Sequence, residues 1–158
     1  MVDVGDKPLS ARMAVAGAVV IMQSATLASI RANEVVKGDV LAVARIAAIQ
    51  AAKRCDELIP LCHSLPLDGV DVEFELDDAL PGVRIRTTTR VTARTGVEME
   101  ALTAASAAAL TVYDMCKAAD RGMEIGQLCL LRKDGGRSGL WERGDHPASA
   151  IGSGKAAS

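Results

Sequence analysis

The segment from Thr95 to Lys117, TGVEMEALTAASAAALTVYDMCK, constrains the fold more than any other part of the chain. Leu102, Ala105, Ala109, Val112 and Cys116 recur at alternating steps of three and four, one apolar stripe of an amphipathic helix that must find a core to lie on. A second stripe, Glu100, Thr103, Ala107, Thr111 and Asp114, keeps similar spacing with small or polar side chains, and Lys117 continues it. A helix face turned only to water is normally filled with long Lys and Glu, so a face this low suits close approach of a ligand or another helix. Asp114 and Lys117, three apart, are surface neighbours and can pair. Burial would tune either group toward proton transfer; an exposed pair would be an ordinary helical ion pair.

The other segments supply what that helix packs on. Residues 1 to 12 are polar with Gly5 and Pro8 and read as a loose arm, with Lys7 and Arg12 its cations. Met13 to Met22 is nearly all apolar. Ten residues are too few to span a bilayer, and Asp3 and Asp6 spoil the basic start of a secretion signal. The segment is expected to be a buried strand in a soluble, cytoplasmic protein. Ser24 to Ala32 reads as a short helix with Ser24 as N-cap. A loop presenting Lys37 follows, and then a helix from the N-cap Asp39 to about Leu58. Pro60 ends it, leaving Ile59 to Pro66 as a rigid, mostly apolar loop expected to be buried. His63 there is either a satisfied core histidine or a ring held at a pocket wall.

Val70, Val72, Phe74 and Leu76 alternate with four acids, and after a turn at Asp78 to Gly82 a second alternating run carries Arg84, Arg86 and Arg90. Together they predict an antiparallel hairpin whose opposite charges set its register. A last strand is expected over Met123 to Leu131. The loop Lys133 to Gly139 after it is either an anion cradle or an exit to a tail, disordered from Trp141 onward. Strand, helices, hairpin, helix, strand is the order of an α+β, ferredoxin-like split βαβ sandwich: a mainly antiparallel sheet with helices on one face and an extra helix in the first crossover. With 158 residues and 49% hydrophobic content, one domain spans residues 1 to 158. A net charge of -2 and only Phe74, Tyr113 and Trp141 as aromatics argue against nucleic acid and anionic membranes as partners. Cys55, Cys62, Cys116 and Cys129 show no C-x-x-C spacing, so none is expected to be a nucleophile or a metal ligand.

Long runs in the chain resemble the MoaC family of cyclic pyranopterin monophosphate synthases, which act in molybdenum cofactor biosynthesis. The runs are MVDV at 1 to 4, KGDV at 37 to 40, the matching positions from Ala44 to Arg54, LIPLCHSL at 58 to 65, the whole of 95 to 117, and GGRSG at 135 to 139. The resemblance implies a lyase that rearranges 3',8-cyclo-7,8-dihydro-GTP to cyclic pyranopterin monophosphate with release of pyrophosphate. It implies no resident cofactor or metal, and is compatible with a divalent ion accompanying the triphosphate. Asp114, Lys117 and Lys37 match the family's catalytic positions. Leu61, Cys62, His63, Glu98, Met99, Glu100, Arg12, Lys133 and Arg137 match its substrate-binding positions. Arg137 stands where the family often has lysine, which keeps the charge and changes the hydrogen-bonding geometry. The resemblance also implies a homo-hexamer, a trimer of dimers with each pocket between two subunits, working downstream of a radical enzyme. Lys37 and Asp114, on separate elements, are expected on opposite sides of that interface. Two other classes compete with this reading: a nucleotide sensor, which needs a basic loop and no acid-base groups, and a scaffold whose Ala-rich faces serve only self-association.

Overall fold

The computed structural model describes residues 1–144. Five strands, β1 (Ser10–Ile21), β2 (Gly69–Asp77), β3 (Gly82–Ala93), β4 (Glu124–Asp134) and β5 (Trp141–Glu142), form one sheet in the order β2-β3-β1-β4-β5. Each neighbouring pair is antiparallel. Helices α1 (Ser24–Ala32), α2 (Val40–Lys53) and the single turn α3 (Cys55–Leu58) lie between β1 and β2, and α4 (Glu98–Cys116) joins β3 to β4. This is the expected ferredoxin-like α+β arrangement. Among the described residues no helix is long and apolar enough to cross a membrane.

Strand β1 takes the centre because its small apolar residues tolerate burial on both faces; every residue from Ala14 to Val20 is buried. Ala14, Ala16, Ala18 and Val20 share a core with Ala101, Ala104, Ala105, Ala108 and Val112 of α4. Small side chains on both surfaces let the helix lie close to the sheet, so the core is thin and tightly packed. The predicted apolar stripe is present, with Leu102 at its half-buried edge.

The polar stripe of α4 packs against another helix, one of the two uses expected of it. Lys37, just ahead of α2, reaches Asp114, and Cys55, just behind α2, contacts Thr103. The low-profile face therefore accommodates α2 of the same chain, whose Val40, Ala44, Ala48 and Ala52 are buried. Across the hairpin the charges pair as foreseen: Arg84 with Asp77 at 2.6 Å, Arg86 with Glu73 at 3.9 Å, and Arg90 with Asp71.

Several boundaries move. Ser10, Ala11 and Arg12 pair with β3, so Arg12 belongs to a strand and not to the arm. Lys133 and Asp134 extend β4, and Trp141 and Glu142 pair with Lys133 and Arg132 where a disordered tail was expected; positions 145–158 lie outside the described residues. The loop after Pro60 is not buried in the single chain: Leu61 is 71% exposed. The start of α1 is not capped by Ser24. Asp120, 2% exposed, accepts from the backbone N–H of Gln23 at 2.8 Å, from Thr26 Oγ1 at 3.2 Å and from the N–H of Gly122 at 3.2 Å. One carboxylate thus ties the end of β1 and the start of α1 to the turn before β4. Bonds to a charged acceptor contribute about 1.5–3 kcal/mol. Asp120→Ala is therefore expected to cost about 2–4 kcal/mol and to lower Tm by roughly 5–15 °C. Scanning calorimetry checks this, and a variant melting with the wild type would remove the node from the account.

Candidate active site

Two cavities open at the N-terminal end of α4 and share Thr95, Gly96 and Glu98 as walls. The first, about 240 Å³, gathers Lys7, Arg12, Arg94, Lys133 and Arg137, with Glu98 and Asp134 as its acids. Five cations around one hollow, beside the start of a helix whose N-cap Val97 offers no side-chain bond, supply the charge that holding an anion requires. Lys133 Nζ donates to Glu98 Oε1 at 3.0 Å and so links this hollow to its neighbour.

Arg12 is fixed from two sides. Its Nε donates to the Ala93 carbonyl at 3.1 Å and its Nη2 to the Arg94 carbonyl at 3.3 Å. The loop after β4 then crosses it closely enough that a Cβ on Gly136 would sit 2.2 Å from Arg12 Nη1, and one on Gly135 would sit 2.1 Å from the Ala11 carbonyl. Both glycines also have positive φ. The paired glycines of GGRSG therefore serve close approach to Arg12, while Arg137 lines the hollow.

The second cavity, about 330 Å³, is lined by Leu61, Cys62, His63, Glu98, Met99 and Glu100 among others. His63 Nε2 lies 2.8 Å from the Val2 carbonyl. A carbonyl can only accept, so Nε2 is the ring nitrogen that donates in this contact, and Nδ1 is the other position at which the ring can exchange a proton. Glu100 is 3% exposed, and burial, with the nearby Glu98 charge adding to it, pushes its carboxyl above the ordinary carboxylate range. A carboxyl raised in this way holds its proton more readily than an exposed one, which is the property a proton-transferring group uses.

Asp114, Lys117 and Lys37 form a separate cluster. Asp114 Oδ1 lies 2.6 Å from Lys117 Nζ, and Asp114 Oδ2 lies 2.7 Å from Lys37 Nζ. These two lysines hold the Asp114 carboxyl at about 2, and Asp114 in turn raises Lys117. A carboxylate at about 2 is a weak base, so its evident work is to anchor two ammonium groups. Lys37 and Asp114 are direct partners on one chain, which corrects the expectation that they face each other across an interface. Asp114 stands sixteen positions after Glu98 on α4, about 24 Å of helix at 1.5 Å per residue. Within one chain the predicted site residues therefore form two groups.

Arg94, Lys7 and Thr95 were not singled out as site residues by sequence reasoning. Arg94 could have been, because it directly follows β3 and shortly precedes a helix N-terminus, where anions are favoured. Lys7 carried no such signal.

A sequence model described as "MoaC family" matches residues 1–136. Two relatives from Chloroflexus aurantiacus, strains J-10-fl and Y-400-fl, are each named cyclic pyranopterin monophosphate synthase. Each is 59% identical over 143 residues, covering 90% of this chain and 88% of the relative.

Proposed function

This chain belongs to the MoaC family, and on that footing we infer that it is an enzyme forming cyclic pyranopterin monophosphate, a lyase of molybdenum cofactor biosynthesis. One observation carries the reading: a five-cation hollow and a cavity with His63 and a poised Glu100 share the walls Thr95, Gly96 and Glu98. A sensor needs the first and a scaffold needs neither, whereas a nucleotide triphosphate undergoing rearrangement needs both, side by side.

The substrate proposed is 3',8-cyclo-7,8-dihydro-GTP, the product of an upstream radical enzyme. Its triphosphate lies among Lys7, Arg12, Arg94, Lys133 and Arg137, which neutralise the charge that grows on the departing pyrophosphate as a sugar hydroxyl attacks the innermost phosphorus. The purine end enters the cavity of Leu61, Cys62, His63 and Met99, where Glu100 and His63 Nδ1 move protons during ring opening and reclosure. Unpaired cysteines, Cys55 and Cys62 among them, suit a reducing cytoplasm.

The Lys37, Asp114 and Lys117 cluster joins this site from another subunit. Groups that act on one reacting centre must each come within about 3–3.5 Å of it, and Glu100 and Asp114 stand fourteen positions apart on one unbroken element, about 21 Å of helix. Val36 beside Lys37, Val43 and Ile46 on α2, and Leu110 one turn before Asp114 on α4 are 103%, 44%, 58% and 61% exposed, apolar surface suited to a second copy. A homo-hexamer built as a trimer of dimers satisfies this. The test mixes two inactive proteins, His63→Ala and Asp114→Asn, under conditions that exchange subunits. Random mixing leaves about one site in four with both groups intact, so roughly a quarter of wild-type turnover should return if each site draws on two chains. Pairing Asp114→Asn with Lys37→Ala should restore none, because both defects fall in one cluster. Proven exchange without recovery in the first pairing would rule out the shared site.

A further inference from the structure

We propose that Cys55, Cys62 and Glu100 form a binding site for a thiophilic divalent cation of the zinc or cadmium kind, and that filling it closes the acid-base cavity to substrate. The linear pattern conceals this site. Cys55 opens α3, Cys62 lies on the loop beyond it, and Glu100 stands on the first turn of α4, so the spacing matches no zinc motif. In the fold, the two sulfurs and a carboxylate oxygen all lie within 4.8 Å of one another. Tetrahedral bonds of about 2.3 Å to sulfur and about 2.0 Å to oxygen place donors roughly 3.5–3.8 Å apart, so a closing movement of about 1 Å completes the geometry. Cys62, half-buried on its loop, can supply it by rotation, while Cys55 and Glu100 are 2% and 3% exposed and held by helices.

Thiolates select soft ions over magnesium or calcium, which fixes the class of cation. Without metal, burial pushes the Cys55 thiol up to about 12 and raises Cys62 as well, so both hold their protons. Binding breaks two S–H bonds, forms two metal–sulfur bonds and passes two protons to solvent, with no change of oxidation state. Three protein donors leave the fourth position open, and it faces the 330 Å³ cavity because Cys62 and Glu100 are among its walls. Cys55 is not. The occlusion half rests on the function proposed above; the site itself does not.

Metal-free, reduced, full-length protein is titrated with Cd²⁺ and followed by its sulfur-to-cadmium charge-transfer absorption. One equivalent per chain is expected. Cys55→Ser should weaken binding about a hundredfold or more, since even partners behind a metal's ligands are worth about 10- to 100-fold. Cys116→Ala and Cys129→Ala should leave the titration unchanged. If Cys55→Ser fails to melt cooperatively, Cys62→Ser, on the half-exposed loop, carries the same test. No absorption band, or one that survives loss of either cysteine, overturns the site. In the second arm, Zn²⁺ should inhibit wild-type turnover in competition with substrate, and Cys55→Ser should be insensitive. Turnover indifferent to Zn²⁺ overturns occlusion alone. A wild-type protein without turnover overturns the functional reading, and with it occlusion, while the cadmium titration still decides the site.

Discussion

Asp114→Asn is expected to lose about a hundred- to ten-thousand-fold in kcat, the range associated with removing a group engaged in the chemical step, while substrate still binds. Asparagine keeps the size of the side chain and removes the charge that holds Lys37 and Lys117 at 2.7 and 2.6 Å from the carboxylate. Two ammonium groups without their anion repel each other and lose the positions from which they would meet the substrate of a neighbouring chain. Stability should hardly change, because all three side chains are about half exposed and such pairs contribute little to folding. Asp114→Glu, which restores the charge, should recover part of the rate. Arg94→Ala gives the contrasting profile. It removes one cation from the phosphate hollow, so it should raise KM and steepen its dependence on salt, with a smaller change in kcat. Pyrophosphate release in single-turnover and steady-state modes separates the two. An Asp114→Asn protein turning over near the wild-type rate would return the cluster to an ordinary helical ion pair.

How far the site could be foreseen depended on the range of the interaction. The hairpin charges, the α4 stripe and the Asp39 cap are local, set by neighbours a few residues apart, and the structure reproduces them. Long-range contacts were not legible. Asp120 caps a helix 94 residues earlier in the chain, Lys37 reaches Asp114 across 77 residues, and Arg12 is pinned to Ala93 across 81. Nothing in the pattern around Asp120 distinguishes it from a solvated turn residue. The small-residue face of α4 shows the same limit. Its composition correctly announced that something packs there closely, but periodicity cannot say whether that is a ligand, another subunit or, as found, α2 of the same chain. Splitting of the candidate site into two groups is likewise a matter of helix length. It follows from the positions of Glu98 and Asp114 once both are known to lie on one unbroken helix.

Glu100→Gln should abolish most activity and yet make the metal-free protein more stable at neutral pH. The side chain is 3% exposed, and burial holds its carboxyl above the ordinary range, so the folded state disfavours the ionised form relative to the unfolded chain. The sign follows from proton binding. Below the unfolded carboxyl's pKa both states are protonated and the folded protein carries no penalty. Between the unfolded and the raised folded value, the native state binds more protons than the unfolded one, so stability falls as pH rises. Above the folded value the penalty is complete. Glutamine, neutral throughout and of the same shape, escapes it. The gain in Tm over wild type should therefore be near zero in acid, grow across that window and then level off. Over the same range kcat should fall about a hundred- to ten-thousand-fold, because glutamine cannot exchange a proton with the substrate. Thermal melts of chelator-treated protein from acid to neutral pH, beside turnover at each pH, test both halves. A Tm difference that is flat with pH would mean that Glu100 is not held against its charge. Turnover that survives in Glu100→Gln would remove it from the chemistry and leave His63 as the proton-transferring group of the cavity. A protein that becomes more stable when it loses its activity has kept the buried acid for the reaction and not for the fold.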